Sequence, residues 1–412
     1  MSLAWISLIA LAVAVIVSCT TTINVGVLAL SAALVVGVYL GQMPTEIVLE
    51  GFPVELFVTL VGVTLLFSIA ETNGTLERLT AQALRVCRGR AAAIPFLFFA
   101  LGFFLSTIGA GSVAGSALLA PAAMAAASRA GIAPFPMILM AGNGTLAGTL
   151  SPFAPTGIVA NGVMERIDLG GMAWEVFAYN ALAHAAVGLA GFLLFGGWQM
   201  IARPGPSIAA EARPGDMERR HWMTAGGIAV LIIGVVGLGH EVGTTALVVA
   251  TVLILLRATE EQKASRGMPW AVILMVTGVS VLVTLADRTE GLDLFTAGLT
   301  RISTPETVAP IVAFGAGLVS VYSSTSGVVL PAFLPMVPEL ATGIGGVEPV
   351  ALALSMNVGA SLVDLSSLST TGALFLAATG VNANTRQLFG MLLAWGLSMC
   401  LVGPAICWLL FG

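Results

Sequence analysis

Charge is what this sequence has least of. Lys, Arg, Asp and Glu make up 9% of its 412 residues, where a soluble domain carries about 25%. With a mean hydropathy of +1.01, that shortage excludes a water-soluble globular domain. Histidine is scarce too. His240-Glu241 opens an HExxH-like string, but Thr244 stands where the second His belongs, so zinc chemistry is not supported. A GxSG serine and a pair of intramembrane aspartates are both missing, which counts against an intramembrane enzyme. Cys19, Cys87, Cys400 and Cys407 lack CxxC spacing, so neither a metal cluster nor a disulfide framework is indicated. No charged segment precedes the first apolar run, which favours a retained span over a cleaved signal.

What is present is long apolar runs and glycine, 48 residues of it, as close helix packing and broken helices in membranes demand. Spans are expected at 3–18, 23–41, 54–70, 135–163, 176–200, 223–239, 244–257, 269–286, 349–378 and 389–411, each near the roughly 20 residues that cross a bilayer. Two further stretches, 92–131 and 304–340, carry polar breaks in the middle. The chain is therefore an all-α polytopic membrane protein.

The breaks come in matching pairs. Ser106–Ser112 is followed by Thr149–Gly157, and Tyr322–Gly327 by Asp364–Gly372. Pro95 and Pro310 lie 215 positions apart, Asn143 and Asn357 lie 214 apart, and Thr156 and Thr371 lie 215 apart. Irregular backbone at bilayer depth is tolerated only inside protein or beside a wet cavity. Paired interruptions in two halves are the sequence pointer to a transporter's binding site.

Topology decides how the interrupted stretches run. Thirteen of the 16 Lys and Arg fall on one side only if 92–131 and 304–340 return to the side they entered, leaving Arg166, Arg288 and Arg301 opposite. The positive-inside rule therefore selects two re-entrant hairpins. The expected organisation is a first inverted repeat over 1–200, a cytoplasmic linker over 201–222 and a second repeat over 223–412. Each repeat has five spans and one hairpin, with both termini outside. The segments opening at Ala70–Leu76 and Ala286–Leu292 read as short amphipathic stretches along the interface.

At each hairpin tip an arriving half-helix offers carbonyls and a departing one offers amides, so the ends favour a cation and an anion respectively. Ser106, Thr107, Ser112 and the tip 322–327 add hydroxyls, and Pro152 and Pro155 free carbonyls. A single Ser or Thr in a membrane reads best as packing; four clusters at matching positions do not. Asp364 is the one acid placed deep in a span, a functional candidate by default that equally fits a cation ligand, a proton carrier or a helix cap. Its counterpart in half one is Thr149 or Leu150. His184 reads as a packing residue. Asn143 and Asn357 fit either ligand contact or bonding to freed backbone. With no Lys or Arg near the breaks, an anion there needs accompanying cations.

The segments GFPVELFVTLVGVTLLFSIAETNGT (51–75), RGRAAAIP (88–95) and SPFAPTG (151–157) resemble MatC-type malonate or dicarboxylate carriers. These belong to the ion transporter superfamily, with the divalent-anion/sodium symporters. The resemblance implies a homodimeric elevator in the inner membrane. It carries substrate contacts over to Ser106, Thr107, Gly111, Ser112, Ser324, Thr325, Ser326, Pro152, Thr156, Thr370 and Thr371. With the candidates read from the residues themselves, the expected sodium contacts are Ser106, Gly109, Thr149, Ser151, Ser323, Asn357, Asp364 and Ser366. The Ser-Asn-Thr triplet of the sodium-dicarboxylate branch is kept at neither tip. The expectation is a cation-coupled dicarboxylate carrier, sodium first and protons second, with no cofactor, no nucleic acid, a small anionic substrate and lipid around it. Three alternatives stay open: proton coupling, efflux of another small anion or neutral solute, or the membrane subunit of a binding-protein-dependent transporter.

Overall fold

In the computed structural model, residues 2–21, 23–84, 93–198, 217–322, 325–379 and 384–411 are described. All regular structure among them is helical: α1 Leu3–Thr20, α2 Val25–Leu34, α3 Thr45–Leu49, α4 Val54–Thr72, α5 Thr75–Leu84, α6 Ile94–Leu105, α7 Gly111–Ala130, α8 Pro134–Ala147, α9 Pro155–Arg166 and α10 Ala173–Phe192. The second half follows with α11 Arg219–Ile232, α12 Val242–Leu255, α13 Glu261–Gly267, α14 Trp270–Arg288, α15 Gly291–Thr300, α16 Val308–Tyr322, α17 Leu330–Phe333, α18 Val337–Ile344, α19 Pro349–Leu362, α20 Thr370–Ala377 and α21 Thr385–Phe411. Seven helical stretches of the described residues are long and apolar enough to cross a membrane. Exposed Trp5, Trp174, Trp198, Trp222, Trp270 and Trp408 all sit at or just beyond helix ends, where indole rings favour the headgroup level. This is a multi-pass membrane protein.

The helices sort into two sets by contact. α1, α2, α4 and α11–α14 pack on one another, and α6–α10 pack with α16–α21. In the second set, every residue from Phe135 to Ser151 and from Leu352 to Val363 is buried. Helices apolar all round take such central positions, and the irregular backbone after each is thereby enclosed, as the bilayer requires.

The stretch 92–131 does not cross straight through. A Cβ at Gly102 on α6 would lie 2.8 Å from the Thr145 amide. Ser116 on α7 meets the same residue, Oγ to Oγ1, at 2.9 Å. Residues 14 apart would be separated by about 21 Å in one straight helix, so the chain doubles back. Gly109 (φ 124°) and Gly111 (φ 73°) make the reversal, in conformations that only glycine adopts freely. The second interrupted stretch also folds back, since a Cβ at Gly315 would sit 4.0 Å from the Phe333 ring. α5 and α15 follow the two segments expected to open amphipathic stretches. Cys87 and most of the 201–222 linker lie outside the described residues.

Candidate functional site

The spans 135–163 and 349–378 break as their sequences require, and the two breaks are built alike. Ser151 N donates to Gly148 O and Ala154 N to Ser151 O; 215 positions on, Ser366 N donates to Val363 O and Ser369 N to Ser366 O. Ser151 Oγ accepts from Phe153 N at 3.2 Å and Ser366 Oγ from Leu368 N at 3.3 Å. Glycine is required after each break: a Cβ at Gly157 would meet Ser151 O at 1.9 Å, and one at Gly372 would meet Ser366 O at 2.0 Å.

At the first break two helix starts converge. Gly111–Ala114 of α7 and Pro155–Thr156 of α9 line one cavity of about 290 Å³, and a Cβ at Gly111 would lie 3.0 Å from Pro155 Cδ. The positive dipole ends of two helices thus face one small space, an arrangement suited to an anion. Gly109, Ser112 and, from the second tip, Ser326 line it as well. The opposite wall is the α4 face Thr64, Phe67, Ser68 and Glu71, which periodicity alone gave no reason to single out. Phe67 lies against Gly109, where a Cβ would meet its Cε2 at 2.1 Å. Glu71 is the one charged side chain among the described lining residues.

The remaining first-half candidates brace this cavity from behind. Thr149 Oγ1 lies within hydrogen-bond reach of Ser112 Oγ (3.2 Å) and Thr156 Oγ1 (3.4 Å), and Ser151 Oγ donates to Thr107 O (2.7 Å). Ser106 Oγ and Thr107 Oγ1 are buried without a partner, a costly condition that a ligand or water relieves. Pro152 faces elsewhere, into a cavity of about 910 Å³ beside Glu55, Glu165 and Glu241.

In the second half the structure gathers Ser320, which sequence reasoning missed, with Thr325, Asp364 and the Ala360 carbonyl. Thr325 Oγ1 lies 2.8 Å from each Asp364 oxygen, 2.5 Å from Ser320 Oγ and 3.3 Å from Ala360 O. Ser323 and Ser324 lie outside the described residues. Asn357 Nδ2 bonds within its own helix to Ala353 O (2.8 Å) and its Oδ1 has no partner; nothing joins it to Asp364. Thr370 is exposed and Thr371 buried, and neither lines the 290 Å³ cavity.

A buried polar network ties the two broken spans together. Asn180 on α10 donates to Leu146 O (2.9 Å) and Ala147 O (3.2 Å), the carbonyl end of α8. Its Oδ1 accepts from Ser361 of α19 at 2.6 Å. His184 Nδ1 meets Asn143 Oδ1 at 2.9 Å, and Nε2 meets Ser361 Oγ at 3.4 Å. His184 packs as its sequence position implied, while Asn180 supplies the backbone bonding that Asn143 was a candidate for.

Fold and site define a polytopic membrane protein built like known transporters. The YdaH transporter of Alcanivorax borkumensis superposes with a TM-score of 0.60 at 16% identity, over 90% of this chain and 88% of its own. MtrF of Neisseria gonorrhoeae, of a class of antimetabolite efflux pumps, superposes with a TM-score of 0.60 at 14% identity, over 91% of this chain and 84% of its own. Residues 1–149 match the family described as dicarboxylate carrier protein MatC N-terminus. No curated protein sequence matches. The likeness is to carriers and pumps, not to enzymes.

Proposed function

We propose that the protein is a cation-coupled secondary transporter of small dicarboxylates, malonate-like in size, working by an elevator motion. The convergence of the α7 and α9 starts on one enclosed cavity carries this reading. One substrate carboxylate sits at those helix starts with Ser112 and Thr156, and the other faces Ser326 of the second tip. Thr325, Asp364 and Ser320 hold a coupling cation, sodium by preference, whose charge lowers the cost of burying an anion. The family match over residues 1–149 supports a dicarboxylate.

The matched hydrogen bonds at the two breaks support an inverted repeat. The set holding α4 and α14 acts as the fixed scaffold and dimer contact, and the hairpin set moves. An asymmetry supports that motion. Thr64, Ser68 and Glu71 on α4 correspond, 216 positions on, to Ser280, Thr284 and Asp287 on α14. The first stripe faces the tip cavity. The second faces a cavity of about 360 Å³ lined instead by Arg166, Pro331, Pro335, Pro338 and Glu339. Equivalent scaffold helices thus meet different levels of the hairpin set, as expected of one end of a sliding stroke. The first hairpin opens toward Gly267 and Pro269, next to the loops that the charge bias assigns to the cytoplasm. This pose is inward-facing, with both termini outside and the inner membrane as its place.

Radiolabelled malonate uptake into proteoliposomes, with sodium and proton gradients imposed separately, tests the proposal. A sodium-driven rise is expected. Accumulation indifferent to both gradients would overturn the coupling, and absence of any dicarboxylate flux would overturn the substrate class. The efflux alternative predicts export from preloaded vesicles without uptake.

A further inference from the structure

The two walls of the 290 Å³ cavity differ in hydrogens as well as in charge. On the α7 and α9 side lie two positive dipole ends, with Ser112 and Thr156 beside them. The α4 side offers oxygens whose hydrogens are already spent. Thr64 Oγ1 donates to Leu60 O at 2.6 Å, and Ser68 Oγ to Ala264 O at 2.6 Å. A hydroxyl donates once, so each has only lone pairs left for the cavity. Glu71, three residues beyond Ser68 on the same helix face, has no hydrogen bond or ion pair at its carboxylate among the described residues.

The matching stripe on α14 reveals what such a surface holds. Ser280 Oγ donates to Val276 O at 2.9 Å, as Thr64 does to Leu60. Thr284 Oγ1 accepts from the Arg166 guanidinium at 3.2 Å, and Asp287 lies within electrostatic reach of the same cation. A nitrogen cation of the chain itself therefore meets the stripe in half two. The stripe in half one faces the ligand cavity, and no Lys, Arg or His is among the described residues lining it.

A plain dicarboxylate fits this space poorly. Two dipole ends of about half a charge each attract it, while Glu71 opposes it from across the cavity. The cation proposed at Asp364 neutralises that carboxylate, not this one. An ammonium group on the ligand resolves both faults: its N–H donors meet oxygens that lack hydrogens, and its charge meets Glu71. We propose that the substrate is an amino-substituted dicarboxylate, its carboxylates placed as above and its ammonium held by Glu71 and Ser68. This rests on the dicarboxylate reading and deepens it, making Glu71 the residue that sets specificity.

L-Aspartate and succinate share a four-carbon skeleton and differ by one ammonium group; L-malate puts a hydroxyl in its place. Isothermal titration of all three into the purified full-length protein, with sodium present, tests the proposal. Aspartate is expected to bind about tenfold or more tighter than succinate, with malate in between. Glu71→Gln should erase that preference, since a neutral amide neither attracts the ammonium nor repels succinate, and Glu71→Asp should keep part of it. Melting curves of each variant confirm a folded protein. Equal affinities for aspartate and succinate in the wild type, or a preference that survives Glu71→Gln, would overturn the assignment. If succinate and malonate bind as tightly as aspartate, the ammonium site falls while the dicarboxylate reading stands. If alanine, with one carboxylate, binds as tightly as aspartate and loses affinity in Glu71→Gln, the reverse holds.

Discussion

At the scale of single residues, glycine shapes the proposed anion cradle. Gly111 combines φ 73° and ψ 175°, a region open essentially to glycine alone, with a Cβ position 3.0 Å from Pro155, so Gly111→Ala incurs a backbone penalty of about 1–3 kcal/mol and pushes α7 off α9. Malonate affinity should fall in a thermal-shift titration, by more than the drop in unliganded melting temperature accounts for. Gly131→Ala is the control: at φ 66° and ψ 27° it carries a milder, left-handed strain of about 1–2 kcal/mol, and nothing lies within 4 Å. Equal losses of affinity in both variants would remove the cradle argument. The sequence placed Gly109 and Gly111 in the turn between Ser106 and Ser112, and the chain reverses there. Phe67 and Ser320 gave no signal, because an aromatic or a serine in an apolar helix reads as packing until its neighbours are known.

At the scale of elements, helix ends matter more than helix interiors. Glu241 caps α12: its carboxylate accepts from Gly243 N at 2.6 Å and Thr244 N at 2.5 Å, with Thr59 at 3.3 Å. Partial burial opposes its ionisation, yet the hydrogen bonds from Thr244, Gly243 and Thr59 outweigh burial and hold it below the usual carboxylate range. A depressed carboxyl stabilises the fold above its unfolded value and loses that contribution as pH falls through the folded one. Glu241→Gln should therefore cost about 1 kcal/mol at neutral pH, with the difference from wild type shrinking in acid melts. A gap that stays constant down to pH values below the carboxylate range would show that the cap is not charge-assisted. The breaks at 149–157 and 364–372 were legible because Pro, Ser and Gly interrupt otherwise apolar runs. The Asn180 bridge was not, since its partners are main-chain atoms 33 and 34 residues away that no local pattern reveals.

At the scale of the whole molecule, charge bias across loops was enough to choose hairpins over straight crossings, and Thr145 touching both arms agrees. Sequence could not sort the helices into two sets, because hydrophobicity looks the same whether a side chain meets lipid or protein. With the four native cysteines replaced, a cysteine at Ser112 should react with an impermeant maleimide from the cytoplasmic side, and malonate should slow that reaction severalfold. Labelling solely from the outside would reverse the assigned pose. Tying the elbows of α8 and α19 through Asn180 and Ser361 should make the hairpin set unfold as one unit. Asn180→Ala is expected to cost about 1–3 kcal/mol by exposing buried carbonyls, and to loosen hydrogen exchange at both breaks together.

The ring of Phe67 rests on Gly109, a place where the tip presents bare main chain. Two surfaces with no interlocking teeth can glide without any side chain changing rotamer, so the proposed elevator stroke would meet little friction at this bearing. A methyl group added to the glycine would act as a burr, straining the resting pose and obstructing the proposed travel alike.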